Sequence, residues 1–420
     1  MQRFFAADPG QSLTKKRIEK KRKHKGESEH FQRNLNSEVR EMNKSEQKTL
    51  LELLGELPDH RAGNAIRHQL KDIIAIGILA ILCNANTFVG MQLFGETHEK
   101  ELREVLELPH GIPSHDVFGD VFSRLDTSAL EQCFEEWIAG MRGAFKHIAV
   151  DGKTIRRSQS GDHKASHIIT AYSSDAQLIL GQLCTDEKSN EITAIPRLLQ
   201  MLTLRGSTVT IDAIGTQKAI AEEIVERDGN YILALKENHP ALLEEIRLYA
   251  QQEVLPRKTS ELKARGVYAM SLEKGHGRID KRECWLIPNL SWLESRQQWA
   301  GLSGAALIRS TRTLSDGSAS SSERYYVYSQ PTLDAEAFLR LQRAHWSIEN
   351  NLHWVLDVTF AEDDAHVRMG HAAVVLNILR KMVLTLLKAD SSVKGSLTSK
   401  RLRCAWDFSF ALSVLGIQLS

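Results

Sequence analysis

The chain has 420 residues, of which 42% are hydrophobic and 25% are charged, and its formal net charge at pH 7 is +1. This length predicts two or three structural units, and the composition excludes wholesale disorder. The longest apolar run, residues 73–83, is too short for a membrane span, which needs about 18 apolar residues, and indicates a buried helix. The amino terminus lacks the apolar core of a secretory signal, so we expect a cytoplasmic protein with no membrane partner.

The five cysteines are scattered singly and form no C-x-x-C pair, which argues against a disulfide framework or a zinc ribbon. Because the net charge is close to zero, any basic surface for nucleic acid must be local. One basic run occupies residues 15–25, which contain eight Lys or Arg and one Glu. Such a run is typical of a solvated arm, and in a DNA-binding protein it would add sequence-independent phosphate contacts.

Residues 1–44 are polar and without apolar periodicity, so we interpret them as a disordered basic arm. Residues 45–145 contain short apolar blocks separated by proline and asparagine, which predicts a helical domain. Within this domain, Ser114 is a candidate N-cap for an amphipathic helix that resembles the second helix of a helix-turn-helix. An ordinary core helix is the alternative, because no base-reading side chain can be named. The resemblance to a helix-turn-helix is the basis for the hypothesis that residues 45–145 bind DNA.

The central region has the pattern of an α/β domain. Three strand-like segments, 147–151, 167–172 and 178–183, are separated by turn residues and predict an antiparallel meander. A helix near 191–203, a strand at 208–212, a helix at 217–229 and a strand at 231–235 come next. Three strands followed by alternating helices and strands is the element order of the ribonuclease H-like fold, a mixed sheet covered by helices on both faces.

The third part of the pattern is an insertion followed by helices. Residues 250–330 contain short strand candidates and predict a β-rich insertion within a ribonuclease H-like domain that spans 146–420. From Asp334 onward the apolar spacing predicts a long helix, with Glu349 on the margin of its apolar stripe beside His345. A carboxylate at that position can face the edge of a sheet.

Three acidic residues stand out in this pattern. Asp151 and Asp212 each end an apolar strand, and Glu349 lies on the helix. Alone, an Asp after a strand is usually a turn or cap residue. Together, the three acids match the carboxylate ligands that hold two divalent cations for phosphoryl transfer on DNA. Oxygen ligands without Cys or paired His suit Mg²⁺ or Mn²⁺.

Several blocks around these acids resemble a known family. The blocks IAVDGKTIRRS, VTIDAIGTQKAIAEEIVERDGNYILALKENHP, GHGRIDKRECW and HWSIENNLHWVLDVTFAEDD are similar to those of the H-repeat-associated family of bacterial insertion-sequence transposases. The resemblance runs from about Leu50 to the C terminus. It implies a ribonuclease H-like domain with a catalytic, metal-binding DDE triad, carried over to Asp151, Asp212 and Glu349.

The resemblance also implies an activity and partners. The expected reaction is divalent-metal-dependent nicking of double-stranded DNA at the terminal inverted repeats, and then joining of the 3′-hydroxyl to target DNA. A homo-oligomer in the synaptic complex is the corresponding expectation for quaternary structure.

Some positions depart from the wider pattern. Related transposases with a Y-x2-R-x3-E-x6-K signature have Tyr, Arg and Lys where this chain has Gln342, His345 and Leu356. Phosphate binding by that Arg and Lys therefore does not carry over. Asp280 also stands where Glu is usual after GHGRI.

Basic and histidine residues near the acids are candidates for DNA contacts, each with a structural or solvated alternative. They are Lys153, Arg156, Arg157, Lys236, His276, Arg278 and His345. His345 is one turn before Glu349, where it can contact a phosphate or orient the carboxylate.

Three hypotheses remain open from the sequence. The first is an active transposase. The second is a catalytically inactive or domesticated relative that only binds DNA. The third is a metal-dependent nuclease on the same fold that cuts DNA without joining it.

Overall fold

The computed structural model describes residues 48–61, 66–139, 145–159, 164–185, 191–275 and 277–417. The predicted basic arm, 1–44, and the candidate His276 lie outside the described residues. Residues 49–138 and 144–420 belong to one compact unit. Along the described chain, no helix is both long enough and apolar enough to cross a membrane.

Helices precede the sheet, as predicted for this region. They are α1 (Leu50–Gly55), α2 (Leu70–Leu82), α3 (Phe88–Thr97), α4 (Glu99–Leu102), α5 (His115–Arg124) and α6 (Thr127–Ala139). The predicted cap is confirmed, because the Ser114 side chain accepts a hydrogen bond from the backbone N–H of Val117 at the start of α5. The long apolar run forms α2, which is buried from Asp72 to Leu82 as an internal helix.

A mixed sheet forms the centre of the molecule. Its first strands are β1 (His147–Thr154), β2 (His167–Ser173) and β3 (Leu178–Thr185), and then come α7 (Glu191–Gln200), β4 (Thr208–Ile211), α8 (Lys218–Glu226) and β5 (Asn230–Leu235). Strands β1 to β3 pair antiparallel, whereas β4 lies parallel to both β1 and β5. This arrangement confirms the predicted meander and the ribonuclease H-like mixed sheet.

The predicted β-rich insertion is also present. It follows α9 (Pro240–Tyr249) and contains α10 (Thr259–Ala264), β6 (Tyr268–Gly275), β7 (Arg278–Ile287), β8 (Gly304–Leu314) and β9 (Ala319–Tyr328). Strand β9 pairs antiparallel with β5, so the insertion extends the central sheet to the order β3-β2-β1-β4-β5-β9-β8-β7-β6. The strands of the insertion thus share the sheet that carries the candidate acids.

The C-terminal helices are α11 (Ala335–His345), α12 (Trp354–Val358), α13 (Ala372–Ala389), α14 (Leu397–Trp406) and α15 (Phe408–Leu415). The long helix predicted from Asp334 is interrupted, because a π-helical segment, Glu349–His353, lies between α11 and α12. Such segments are rare and recur at functional sites.

Helices cover both faces of the sheet. Helices α7 and α8 pack with Ile148, Val150 and Ile211 in one core, while α11 packs through Phe338 on Tyr326 of the insertion in a second core on the other face. Because strand side chains alternate between faces, Asp151 points away from the core of Val150, toward the side covered by α11. The fold therefore brings the helix that leads to Glu349 over the strand that carries Asp151.

Candidate active site

Asp151 is presented by β1 in a confined position. It comes after Val150, which is fully buried, and its own side chain retains 24% exposure. The next residue has to be glycine, because a Cβ at Gly152 would lie 2.4 Å from His167 Nε2 and 2.7 Å from Glu191 Oε1. Asp151 thus belongs to the candidate site, and Gly152 is explained by the tight packing of His167 and Glu191.

Asp212 comes directly after β4, the parallel neighbour of β1. Val150 and Ile211 are partners in the register of these two strands, so Asp151 and Asp212 leave adjacent strands at the same level. The Asp212 carboxylate also accepts a hydrogen bond of 3.1 Å from the backbone N–H of Ile214, which fixes the turn after the strand. The two aspartates therefore occupy neighbouring positions of adjacent strands, although Asp151 does not end its strand as predicted, because pairing with β2 extends β1 to Thr154.

Glu349 reaches the same place from the helical side. It begins the π-helical segment, its side chain is 55% exposed, and its Oε2 lies 3.1 Å from Nδ1 of His353. The same His353 nitrogen lies 3.6 Å from Oδ2 of Asp151. One ligand atom from each of Asp151, Glu349 and His353 falls within 4.8 Å of the others.

The charges of this cluster act strongly on one another. Burial raises the pKa of Asp151 to about 6, and the nearby charges of Asp212 and Glu349 push it in the same direction, against His353. The pKa of Glu349 is lowered, chiefly by its hydrogen bond with His353. Carboxylates that repel one another at this distance are stabilised by a cation between them. The carboxylate oxygens of this cluster fit a hard divalent ion such as Mg²⁺ or Mn²⁺.

His353 was missed by the sequence analysis. Its side chain is only 6% exposed, and its Nε2 is buried without a hydrogen-bond partner. A signal was present, because His353 lies four residues after Glu349 and such pairs share a helix face. Because a carboxylate can only accept, the hydrogen bond between His353 and Glu349 is donated by Nδ1–H of the histidine.

Lys153 lies near the acids but is bound to other carboxylates. Its Nζ donates to Oε2 of Glu362 at 2.9 Å and to Asp357. Glu362 is completely buried and also accepts from Asn377 at 2.9 Å and from Arg380 at 3.4 Å. Burial would raise the pKa of Glu362, but the charges of Lys153 and Arg380 outweigh it and hold that pKa at about 2. This network joins β1 to α13 and favours a structural role for Lys153.

Arg156 and Arg157 lie on the surface just after β1. Arg156 pairs with Asp363 at 3.0 Å, and Arg157 lies 3.7 Å from Asp364. Both guanidinium groups are substantially exposed, so these surface pairs cost little to exchange for a phosphate.

The remaining basic candidates lie on other elements. Lys236 is exposed directly after β5. Arg278, on β7, pairs with Asp280 at 3.1 Å, and Asp280 also pairs with Arg312 of β8 at 2.9 Å. The departure from Glu at position 280 therefore leaves a carboxylate that joins two strands.

His345 points into the molecule. Its Nδ1 lies 2.9 Å from Oγ1 of Thr210 on β4. Gln342 is buried and donates to the hydroxyl of Tyr326, and Leu356 is fully buried. All three positions of the wider transposase signature thus belong to internal packing in this chain.

The chain is similar to known transposases along most of its length. Residues 51–138 match the family model described as DDE_Tnp_1-associated, and residues 142–386 match the model of the transposase DDE domain. The protein named "H repeat-associated putative transposase YhhI" of Escherichia coli K12 is 36% identical over 381 residues, which cover 88% of this chain and 98% of that protein. A second protein of the same description, YbfD, is 36% identical over 241 residues, covering 56% of this chain and 93% of that protein.

Among solved structures, the chain is similar to the piggyBac transposase in its synaptic complex with hairpin DNA. The TM-score is 0.43 at 11% identity, with 87% of this chain and 76% of that chain covered.

Proposed function

Because the chain belongs to the DDE transposase family, with the H repeat-associated transposases as its relatives, we propose that it cleaves DNA strands at transposon ends and joins them to target DNA. The observation that carries this proposal is the convergence of Asp151 and Glu349, from a strand and a helix, beside Asp212 on the neighbouring strand. Neither a strand turn nor a surface helix explains why Asp151 and Glu349 lie so close together, with the charge of Asp212 nearby.

The roles of the three acids derive from their positions. Asp151, Asp212 and Glu349 would hold Mg²⁺ or Mn²⁺. A divalent ion there supplies activation of the attacking water or 3′-hydroxyl and stabilisation of the leaving oxygen. His353 donates its proton to Glu349 and keeps that carboxylate directed at Asp151. The exposed side of Glu349 leaves the cluster open to a DNA strand.

The partners of the proposed reaction are double-stranded DNA at the terminal inverted repeats and at the target. We assign DNA binding to residues 45–145 and catalysis to 146–420. Arg156, Arg157 and Lys236 are our preferred phosphate contacts, because their side chains lie on the surface. The protein would act on chromosomal DNA in the cytoplasm, as a homo-oligomer that holds two transposon ends.

A nicking assay tests the proposal. The substrate is DNA that flanks the reading frame and contains its inverted repeats, incubated with Mg²⁺ or Mn²⁺. We expect Asp151→Asn, Asp212→Asn and Glu349→Gln each to lower the cleavage rate at least about a hundredfold, because each loses a metal ligand. Glu336→Gln is the matched control, since Glu336 is an exposed acid at the start of α11, the helix that leads to Glu349.

The outcomes separate the three hypotheses. Wild-type cleavage no faster than that of the Asp151 variant contradicts the catalytic proposal. Binding of the ends without metal-dependent cleavage favours an inactive DNA-binding relative. Cleavage without joining of a pre-cleaved 3′ end favours a nuclease.

A further inference from the structure

A chain of hydrogen-bonded side chains connects the elements that carry the three acids. Oγ1 of Thr210, on β4, lies 2.8 Å from Nε2 of His147 on β1 and 2.9 Å from Nδ1 of His345 on α11. The other ring nitrogen of His147 lies 2.6 Å from the hydroxyl of Ser174, just after β2. The Thr210 hydroxyl therefore joins two strands, β1 and β4, to helix α11, and His147 extends the chain to Ser174 after β2.

His147, Thr210 and His345 each precede a candidate acid by two or four positions in the sequence. His147 precedes Asp151 by four residues and Thr210 precedes Asp212 by two, so strand alternation places each on the same sheet face as its acid. His345 precedes Glu349 by four residues, about one helical turn. The hydrogen-bonded chain consequently lies on the same face of the sheet as the acids, the face that α11 covers, earlier along the same strands and helix.

The chemistry of the chain limits the arrangement of protons. Burial lowers the pKa of His147 to about 3, and burial also lowers the pKa of His345 against the charge of Asp212. Both rings are therefore neutral near pH 7. A hydroxyl has one proton and can accept two hydrogen bonds, so Thr210 can donate to only one of the two imidazole nitrogens. At least one of the two histidines must therefore donate an N–H to Thr210.

The connection lies immediately before a change in the helical backbone. Helix α11 ends at His345, and the π-helical turn begins at Glu349. The Glu349 side chain must approach Asp151 although both are carboxylates. Functional groups of this kind need to be held within about 0.5 Å by supporting hydrogen bonds.

We propose that His147, Thr210 and His345 are positioning residues that fix the end of α11 on β1 and β4, and thereby set the spacing of Asp151, Asp212 and Glu349. This inference rests on the proposed function, since the spacing matters only if the acids bind a metal. The three residues act through the acids and do not touch substrate.

The test is the affinity of the full-length protein for Mn²⁺ alone, measured by electron paramagnetic resonance and calorimetry without DNA. Thr210→Val keeps the shape of the side chain and removes the shared hydroxyl. We expect a loss of about tenfold or more in Mn²⁺ affinity, the effect typical of residues that orient metal ligands. Thr210→Ser keeps the hydroxyl and should restore most of the affinity.

The chain offers a matched control in Thr208. This residue lies on the same strand and the same face, is similarly buried, and contacts Gln330 instead of a histidine. Thr208→Val should bind Mn²⁺ within about twofold of wild type, because it removes no contact to a histidine. Equal losses in the two valine variants would indicate a general weakening of β4 and would overturn the inference.

A second measurement guards against a misfolded variant. In ¹⁵N-histidine spectra of the wild type, at least one of the rings of His147 and His345 should be protonated on the nitrogen that faces Thr210. His345→Asn, which keeps a short polar side chain, should retain more Mn²⁺ affinity than His345→Ala at a similar melting temperature. Identical affinities for these two variants, or wild-type affinity for Thr210→Val, contradict the positioning role.

The variant Asp151→Asn distinguishes failure of the proposed metal site from failure of the positioning role. If wild type and Asp151→Asn bind Mn²⁺ equally, the proposed metal site is wrong and the inference falls with it. If Asp151→Asn loses affinity while Thr210→Val keeps it, only the positioning role is wrong.

Discussion

At the scale of single residues, the site depends on how a few side chains share protons and charge. The side chain of His353 is nearly buried and lies close to both Glu349 and Asp151. Among the described residues, these three side chains form one close cluster. Its hydrogen bond lowers the pKa of Glu349, and its charge opposes the effect of burial on Asp151. The histidine therefore keeps both carboxylates in the form that binds a metal.

His353→Phe tests this role, because it keeps a ring of similar size and removes both nitrogens. Without His353 the pKa of Glu349 and that of Asp151 should both rise. A protonated carboxyl does not bind a divalent ion, so the acidic limb of metal binding, expected near pH 6 in the wild type from Asp151, should move to higher pH. The measurement is Mn²⁺ affinity from about pH 5 to 8, a range that brackets this limb, and His371→Ala, an exposed histidine before α13, is the control. An unchanged acidic limb in His353→Phe contradicts this role.

At the scale of elements, ion pairs in the interior hold the helices against the sheet. Glu362 joins Lys153 of β1 to Arg380 of α13 and has no exposed surface. Removal of one partner from a buried ion pair is costly because the other charge stays buried and unpaired. The loop after α12 is thereby bound to both the sheet and the longest described helix.

This network predicts the acid sensitivity of the fold. The pKa of Glu362 is about 2 in the folded protein and about 4.3 in an unfolded chain. A lowered folded pKa contributes stability that is fully present above about pH 4.3 and is lost as the pH falls toward 2. Glu362→Gln should lower the free energy of unfolding near pH 7 by about 3 kcal/mol and should flatten its dependence on pH in that window.

Urea unfolding followed by circular dichroism at several pH values measures both effects. Asp364→Asn, at an exposed carboxylate two residues further along, should change neither. The same pH dependence in Glu362→Gln as in wild type would show that Glu362 is not the group responsible.

At the scale of the whole molecule, the N-terminal helices and the C-terminal helices form a shared core. Helix α2 packs against α13 and α14. Arg401 of α14 is 1% exposed and donates to the backbone oxygen of Ile81 at 2.6 Å, to Asn86 at 2.9 Å and to the backbone oxygen of Thr359. Through this guanidinium group, Arg401 is bonded to Ile81, which lies 320 positions away in the sequence.

Arg401→Met tests how far stability depends on this connection. The variant keeps an unbranched apolar side chain but removes three hydrogen bonds that the buried guanidinium group donates. We expect a single, cooperative unfolding transition with a free energy of unfolding lowered by about 3 kcal/mol. Arg403→Met is the control on the same helix, because Arg403 is exposed and lies over the ring of Phe410. Two separate transitions in the Arg401 variant would contradict a shared core.

The sequence alone predicted the central fold. Strand alternation and turn residues act over a few positions, so β1 to β5 were available from local pattern, as was the position of Asp212 after β4. The predicted strand end at Asp151 was wrong, because pairing with β2 extends β1 to Thr154. The family resemblance added the transposase assignment. The roles of the three acids in catalysis and metal binding stay predictions for the nicking and Mn²⁺-binding assays.

Only the tertiary structure decided which polar groups are paired. Lys153 was predicted as a phosphate contact, but it lies against Glu362, 209 residues away. His345 meets Thr210 across 135 residues, and the π-helical turn directs His353 between Glu349 and Asp151. Which polar groups pair depends on which distant elements bury a side chain. Burial in turn determines how strongly a charge or a proton changes the free energy of the site. Local sequence specifies the elements, whereas the packing between them specifies the chemistry of the site.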